Sequence, residues 1–343
     1  MKKILLTGVN GQVGHALKSK FLQHEDFSQF EILALSREQL DLTKAHDIRR
    51  IVRDIKPNLI INPAAYTAVD KAESEPELAF TINATAAQIL AEEAARLNAA
   101  LIHFSTDYVY DGTKSGFYDE TDAVNPVSVY GKSKLAGEDA ILAVGLPHLI
   151  LRTSWVYGAY GKNFLKTILR LAAERDSLRI VGDQFGAPTS SESIADGVVQ
   201  LVEAWQPEQE NQSGVYHFTN AGETSFAGVT SWHGFSCEIV NEYNRLSATK
   251  NWPALKVNLE NIVAITTADY PTPAARPENS RLDNAKLKNS FNVALPSWQQ
   301  GLQQVMQTLI LWVWCYKYVT TGKATLSQRI RPAIRRFVQP HAL

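Results

Sequence analysis

A glycine-rich turn near the start of the chain separates a short apolar run from a stretch with helical periodicity. Residues 4–6 (Ile-Leu-Leu) are followed by residues 7–14 (Thr-Gly-Val-Asn-Gly-Gln-Val-Gly), and Val13, Leu17 and Phe21 then recur at helical spacing. Glycine permits a tight strand-to-helix turn and lets backbone N–H groups approach a phosphate at the positive end of the helix. Such a turn also occurs without a ligand, so the turn alone does not establish a phosphate-binding site.

Four further apolar runs follow, and each of the five precedes a helical stretch or a loop. The predicted strands cover residues 3–7, 31–35, 58–62, 100–105 and 148–152. Helical periodicity fills residues 45–55, and a capping box at residues 74–77 predicts the start of another helix. This alternation predicts an α/β fold with a Rossmann-type doubly wound parallel sheet, which favours a dinucleotide at the glycine turn formed by Gly8, Gly11 and Gly14.

The pattern becomes irregular after about residue 156. We divide the chain into a nucleotide-binding domain (1–155, to which part of 187–220 returns), a mainly substrate-binding domain (156–310) and a C-terminal appendage (311–343) that combines aromatic and basic residues. A chain cut after Thr308 is expected to keep its activity. The appendage either packs on protein or docks peripherally on an anionic membrane surface, and both hypotheses stay open.

The charge distribution excludes a general nucleic-acid-binding surface on the main body. The net charge is −1, but no Asp or Glu follows Asp283, so the first 283 residues carry 26 basic against 35 acidic residues, a net charge of −9. Cys237 and Cys315 are the only cysteines, which argues against a disulfide framework and for a cytoplasmic protein. No histidine spacing typical of a metal site occurs, so we expect no metal.

Tyr130 and Lys134 lie four residues apart, so both side chains point the same way on a helix. This pair suits carbonyl reduction, because a phenol can protonate the carbonyl oxygen and a nearby ammonium can lower the pKa of that phenol. Thr106 ends the fourth predicted strand, where its hydroxyl can bind the substrate oxygen. Asp107 is either a substrate contact or a loop cap, whereas Ser105 is expected to face the core.

Ser36 and Arg37 occupy the position where many dinucleotide-binding domains place an acid that binds the adenosine ribose. A guanidinium without a neighbouring carboxylate accepts a 2′-phosphate. The sequence therefore favours NADPH, with NADH tolerated, although a solvated surface arginine would fit as well.

Several strings resemble the extended short-chain dehydrogenase/reductase family. They are the glycine turn, residues 62–65 (Asn-Pro-Ala-Ala), residues 105–110 (Ser-Thr-Asp-Tyr-Val-Tyr) and residues 130–134. Within that family, residues 65–73, 152–157, 183–189 and 270–277 resemble the dTDP-4-dehydrorhamnose reductases, and the resemblance covers about residues 1–305. It implies NAD(P)H-dependent reduction of the 4-keto group of dTDP-4-dehydro-L-rhamnose, with Tyr130 as proton donor assisted by Lys134 and Thr106.

The resemblance also implies binding residues. Those for the cofactor are Gly11, Gln12, Val13, Asp41, Leu42, Ala65, Tyr66, Thr67, Phe104, Tyr130 and Lys134. Those for the dTDP-sugar are Thr106, Asp107 and Trp155. The aromatic face of Trp155 suits the apolar side of a deoxysugar, and Arg276 suits a diphosphate, with a surface ion pair as the alternative.

Two departures and two alternatives accompany the resemblance. Some members dimerise through a magnesium ion held by Glu side chains, but two matching positions are Ala16 and Thr308, leaving only Glu192. We therefore expect no metal-bridged dimer, and a monomer and a homodimer both stay open. The appendage is the second departure, since the resemblance does not reach it.

The alternative functions are a non-catalytic regulatory subunit resembling that of methionine adenosyltransferase, and a nucleotide-sugar epimerase or dehydratase.

Overall fold

The computed structural model describes residues 1–221, 229–250 and 253–320. The strands are β1 (Lys2–Leu6), β2 (Phe30–Ala34), β3 (Leu59–Asn62), β4 (Ala100–Thr106), β5 (His148–Thr153), β6 (Val156–Tyr157), β7 (Leu178–Val181), β8 (Phe185–Gly186), β9 (Thr189–Ser190), β10 (Gly214–His217), β11 (Thr230–Ser231), β12 (Ile262–Ile265) and β13 (Asn279–Ser280). The helices are α1 (Gln12–Gln23), α2 (Ala45–Ile55), α3 (Val69–Ala72), α4 (Pro76–Phe80), α5 (Ala86–Arg96), α6 (Val129–Val144), α7 (Phe164–Glu174), α8 (Ser191–Ala204), α9 (Trp232–Lys250), α10 (Ala285–Phe291) and α11 (Trp298–Thr320).

A six-stranded parallel sheet forms the centre of the fold, in the order β10-β5-β4-β3-β1-β2. This confirms the predicted α/β doubly wound class, and β1 to β5 match the five predicted strands to within a residue at each end. The sixth strand, β10, comes from the part of the chain without clear periodicity. Its residues join the sheet edge beside β5.

Helices cover both faces of this sheet. On one face α1 packs against α8, burying Leu17 and Phe21 together with Ile194 and Val198. On the other face α2, α5 and α6 bury an apolar layer that includes Ile48 of α2. Such two-sided cover explains why the central strands are nearly continuous apolar runs, since both faces of each strand are withdrawn from water.

The predicted capping box at residues 74–77 is wrong. Helix α4 begins at Pro76 with Glu75 in the N-cap position, and no side chain caps it. The Ser74 hydroxyl instead donates to the carbonyl oxygen of Lys71 at 3.0 Å. Pro76 fixes the helix start, because a proline in the first turn sacrifices no intrahelical hydrogen bond.

The remaining elements build a smaller unit at the carboxyl ends of the central strands. Its sheets are two- and three-stranded: β6 with β9, β7 with β12, and β8 between β11 and β13. Its core is formed by α7, α9 and the first part of α11, where Trp298, Leu302, Val305, Met306 and Leu309 are buried.

Helix α11 runs past residue 311 to Thr320, so the boundary predicted there falls within a helix. The basic segment from residue 321 onward lies outside the described residues, and its roles stay predictions. Within the described ranges, no helix combines the length and apolar character needed to cross a membrane.

Candidate active site

A cavity of about 610 Å³ lies along the carboxyl ends of the central strands, where open α/β sheets bind ligands. Its volume is within the range of small-molecule sites, roughly 300–1,000 Å³. Most of the residues predicted from the sequence line it. They are Gly8, Gly11, Gln12, Val13, Gly14, Arg37, Asp41, Leu42, Ala65, Thr67, Phe104, Thr106, Asp107, Tyr130, Lys134 and Trp155. Ser36, Tyr66 and Arg276 are not among its lining residues.

The glycine turn leaves room for a ligand at the start of α1. Gly8 has a φ of +61°, and a Cβ added there would lie 2.8 Å from Cβ of Ala64. Gly11 is the N-cap residue and provides no side-chain cap, so the N–H groups of the first turn need partners from outside the helix. Gly11, Gln12 and Val13 line the cavity at this point. The turn therefore fits the diphosphate of a dinucleotide cofactor.

The structure corrects one premise about the adenosine end of the cavity. Arg37 is exposed and lines the cavity, as expected for a residue that meets a 2′-phosphate. However, a carboxylate is present after all: the Ser36 hydroxyl donates to Oε2 of Glu38 at 2.5 Å, and Asn10 Nδ2 lies 3.4 Å from the same oxygen. The premise that Arg37 has no neighbouring carboxylate is therefore wrong, because Glu38 is the next residue and binds Ser36.

Tyr130 and Lys134 lie on α6, which starts at a sequence-encoded cap. The Ser128 hydroxyl accepts a hydrogen bond from the backbone N–H of Gly131 at 3.1 Å. Both Tyr130 and Lys134 are buried and both line the cavity. The cap and the four-residue spacing together present the phenol and the ammonium to the same space.

The expected lowering of the Tyr130 pKa is not observed. Burial raises the pKa of Tyr130 to about 12, a hydrogen bond with Thr106 lowers it in part, and the negative charge of Asp107 raises it. Lys134 does not contribute to this shift, and its Nζ donates to the carbonyl oxygen of Phe104 at 2.6 Å and lies 3.2 Å from Nε2 of His103. The phenol is therefore held protonated in the structure as it stands.

Thr106 and Asp107 stand at the end of β4, and both are buried. Thr106 Oγ1 donates to Asp107 Oδ1 at 2.9 Å and accepts from the backbone N–H of Tyr108 at 3.2 Å. Burial raises the pKa of Asp107 to about 6, with hydrogen bonds from Ser280 and Thr106 opposing the rise. Asp107 therefore orients the Thr106 hydroxyl, which also contacts Tyr130.

A buried ion pair supports α6 from the side away from the cavity. Arg152 Nη2 lies 2.5 Å from Oε2 of Glu138, and Arg152 Nη1 donates to the Tyr110 hydroxyl at 2.7 Å. The Ser105 hydroxyl donates to the other Glu138 oxygen, and Ser105 also belongs to the residues that line the cavity. Breaking such a pair on one side leaves an unpaired buried charge, which costs about 3–5 kcal/mol.

Trp232 is a cavity-lining residue that the sequence analysis missed. Its ring stacks on Trp155 with centroids 3.5 Å apart and an interplanar angle of 9°. A Cβ at Gly186 would lie 2.8 Å from Trp155 Cε2, so the Trp155 ring packs against both neighbours. Trp155 reaches this position with a φ of +48°. Residues 230–232 (Thr-Ser-Trp) echo residues 224–226 (Thr-Ser-Phe), but this repeat does not indicate a cavity position for Trp232.

Two residues that the resemblance associates with ligands have protein partners. Arg276 contacts Asp70 through both terminal nitrogens, Nη1 to Oδ1 at 3.2 Å and Nη2 to Oδ2 at 2.9 Å. The Tyr66 hydroxyl donates to Oε2 of Glu75 at 2.6 Å. Arg276 thus adopts the ion-pair alternative in this state of the protein.

The position of Glu192 gives no indication of a metal. Its Oε1 accepts from the backbone N–H of Ala159 at 3.1 Å, and its Oε2 accepts from the Ser191 hydroxyl at 3.0 Å. Among residues 1–221, 229–250 and 253–320, no group of three or more His, Cys, Asp or Glu side chains is arranged to hold a metal ion.

Comparisons with known proteins agree with this geometry. The family model of the RmlD substrate binding domain matches residues 1–311. The dTDP-4-dehydrorhamnose reductase of Aggregatibacter actinomycetemcomitans is 44% identical over 305 residues, covering 89% of this chain and 98% of the relative.

Solved structures show the same relationship. The crystal structure of a dTDP-4-dehydrorhamnose reductase from Clostridium acetobutylicum is similar with a TM-score of 0.78 at 34% identity, covering 90% of this chain and 99% of that one. That of the Bacillus anthracis dTDP-4-dehydrorhamnose reductase in complex with NADP has a TM-score of 0.77 at 33% identity, covering 90% and 100%. This chain therefore belongs to the RmlD substrate binding domain family, to whose dTDP-4-dehydrorhamnose reductases it is similar over nearly their whole length.

Proposed function

We propose that this chain uses NADPH to reduce the 4-keto group of dTDP-4-dehydro-L-rhamnose, forming dTDP-L-rhamnose. The proposal rests on one observation. Thr106, Tyr130 and Lys134 line one cavity together with the glycine turn, where helix α1 begins without a side-chain cap. The names of its relatives supply the substrate, and the NADP complex of the Bacillus anthracis protein supports the cofactor.

Each residue has a role that follows from its surroundings. NADPH, when bound, supplies a hydride to the carbonyl carbon. The Tyr130 phenol transfers its proton to the carbonyl oxygen, which becomes a hydroxyl group, so one hydride and one proton are added. Burial keeps this phenol protonated until charge develops on the substrate oxygen. The Thr106 hydroxyl, whose one hydrogen is directed to Asp107 in the structure, turns to donate that hydrogen to the same oxygen, and the Lys134 ammonium stabilises the phenolate that remains.

We assign NADPH as the preferred cofactor, with NADH tolerated. The proposal is supported by Gly8, Gly11 and Gly14, which line the cavity without side chains, and by Arg37, which lines the same cavity with a guanidinium suited to a 2′-phosphate. Asp41, Leu42, Ala65, Thr67 and Phe104 line the same cavity and are assigned to the adenosine and nicotinamide portions as a group.

The test is NADPH oxidation by the full chain with dTDP-4-dehydro-L-rhamnose, followed by identification of the product as dTDP-L-rhamnose. A reductase consumes NADPH in proportion to product. An epimerase or dehydratase would convert a nucleotide sugar without net NADPH consumption. A regulatory subunit would do neither, and would instead alter methionine adenosyltransferase activity when mixed with that enzyme. Lack of NADPH consumption with this substrate would reject the proposal.

A further inference from the structure

A chain of four buried polar side chains crosses the central sheet behind the catalytic helix. Thr7 Oγ1 donates to Asn62 Oδ1 at 2.6 Å, Asn62 Nδ2 lies 3.1 Å from His103 Nδ1, and His103 Nε2 lies 3.2 Å from Lys134 Nζ. All four residues are about 1% exposed. These four hydrogen-bonded side chains lie in turn on or directly after β1, on β3, on β4 and on α6, so they connect the sheet to Lys134.

The numbers of donors and acceptors in these four side chains determine which nitrogen of His103 carries the hydrogen. Burial, together with the charge of Lys134, holds the pKa of His103 well below its usual value, so the imidazole is neutral and has one donor and one acceptor nitrogen. A lysine ammonium has three donors and no acceptor. If Lys134 is charged, Nε2 must therefore be the acceptor and Nδ1 must carry the hydrogen.

Asn62 and Thr7 can accommodate a hydrogen on Nδ1 of His103. The Nδ1–H group then needs an acceptor, and the Asn62 side-chain amide provides one when its oxygen is turned toward His103. The two ends of an amide have nearly the same shape, so this rotation preserves packing. The Asn62 NH₂ group then donates to the Thr7 hydroxyl, which can accept as well as donate.

We propose that His103 is a positioning residue that accepts a hydrogen bond from Lys134 through Nε2 and so holds the ammonium in place for catalysis. The carbonyl oxygen of Phe104 takes a second N–H at 2.6 Å. The third N–H is left for the cavity, which Lys134 lines beside Tyr130. This inference rests on the proposed function, because Lys134 assists Tyr130 only in the reductase mechanism.

The surroundings of Lys134 disfavour its charged form, which a hydrogen bond accepted by Nε2 of His103 would favour. Burial lowers the pKa of Lys134 to about 8, and the charge of Glu138, one turn along α6, opposes the shift. Arg152 from β5 pairs with Glu138, and Tyr130 and Asp107 lie on the cavity side. A hydrogen bond accepted from the ammonium favours its charged form, so loss of Nε2 should lower the pKa of Lys134 further.

Two substitutions of His103 separate positioning from packing. The amide of glutamine reaches approximately the place of Nε2, whereas that of asparagine reaches approximately the place of Nδ1. His103→Gln can keep the contact with Lys134, and His103→Asn can keep only the contact with Asn62. Both introduce a buried amide, so they are matched controls for each other.

We expect His103→Asn to lower kcat about ten-fold or more, the effect of losing one hydrogen bond to a charged group. The alkaline limb of its kcat profile should move to lower pH by about one unit, since Lys134 then loses its proton more readily. His103→Gln should retain the wild-type profile. Two folded variants with the same profile would overturn the proposal.

A measurement without substrate or cofactor tests the same arrangement directly. In the wild-type chain labelled with ¹⁵N-histidine, the signals of His103, assigned by their loss in His103→Gln, should show Nδ1 protonated and Nε2 unprotonated. The opposite tautomer would overturn the proposal, whatever the kinetics of the two variants. Because this readout needs no turnover, it remains decisive if the chain proves inactive on dTDP-4-dehydro-L-rhamnose, the result that rejects only the proposed function.

Discussion

Trp155 and Trp232 form a stacked pair at the substrate end of the cavity, with ring centroids 3.5 Å apart. Trp232 is anchored from its other side, because its Nε1 donates to Oε1 of Gln184 at 3.1 Å. The pair joins the end of the central sheet to α9. One face of Trp155 is therefore covered by protein, and the two rings together form an apolar wall of the cavity.

Replacing Trp232 by alanine should raise the KM for the sugar nucleotide two- to ten-fold, because an aromatic pair contributes about 0.5–1.5 kcal/mol beyond its buried area. Trp232→Phe keeps a ring against Trp155 and should show a smaller effect. Steady-state kinetics measures the KM for the sugar nucleotide, and titration measures the affinity for NADPH. An equal loss of NADPH affinity would show that the wall does not act on the substrate.

Tyr130→Phe should retain the fold and NADPH binding but lose turnover by roughly a hundred- to ten-thousand-fold, because only the transferable proton is removed. Tyr160→Phe is the matched control, since Tyr160 is 40% exposed and stacks on His15 outside the cavity. Single-turnover NADPH oxidation and thermal unfolding test the prediction. Near-normal turnover in Tyr130→Phe would refute the proton-donor assignment.

Arg37→Ala should weaken NADPH binding about ten- to a hundred-fold and NADH binding far less, because only NADPH has a phosphate that loses a charged partner. Glu38→Gln keeps an acceptor for Ser36 and removes a negative charge, so it should strengthen NADPH binding. Dissociation constants from fluorescence titration provide the comparison. Equal losses for both cofactors in Arg37→Ala would make Arg37 a bystander.

Asp107→Asn should become more stable relative to the wild type as the pH rises. The folded pKa of Asp107 is about 6, above its ordinary value of 3.8. Its stabilising contribution is therefore fully present below pH 4 and is lost as the pH rises through 6. The difference in unfolding free energy between variant and wild type should increase by up to about 3 kcal/mol between pH 4 and 7.5. Urea unfolding at several pH values measures it, and a difference that stays constant would contradict it.

A chain truncated after Ile310 should keep its reductase activity. This cut point replaces Thr308, because Leu309 is buried and contributes to the core of the smaller unit. A second truncation after Thr320 retains all of α11 and removes only the segment that follows. NADPH oxidation by both chains tests dispensability, and inactivity of a folded Ile310 truncation would contradict it.

The same two truncations distinguish the two hypotheses for the appendage. If it docks on an anionic membrane surface, the full chain should co-sediment with anionic vesicles and lose this binding at high salt, since basic residues near an anionic surface contribute about 1 kcal/mol each. Loss of binding on removal of residues 321–343 would place the contact in the basic segment. No binding by the full chain would reject the membrane hypothesis in favour of packing on protein.

Local sequence patterns determined the central part of this protein. Apolar runs predict β1 to β5 because each strand is buried on both faces, and the four-residue spacing places Tyr130 and Lys134 on one side of α6. The glycine turn is likewise recognisable from neighbouring residues, although the close approach of Ala64 to Gly8 is a tertiary contact. These features are set by backbone geometry and short-range periodicity, which a single sequence displays.

Only the tertiary structure decided the contacts between distant segments. Trp232 reaches Trp155, Glu38 comes within 3.4 Å of Asn10 in the glycine turn, and His103 meets Lys134 through packing that no local pattern encodes. The pKa of Tyr130 is the clearest case. Its helical spacing predicts a lowered value, but complete burial raises it, because desolvation depends on every element that surrounds the phenol and not on its nearest neighbours along the chain.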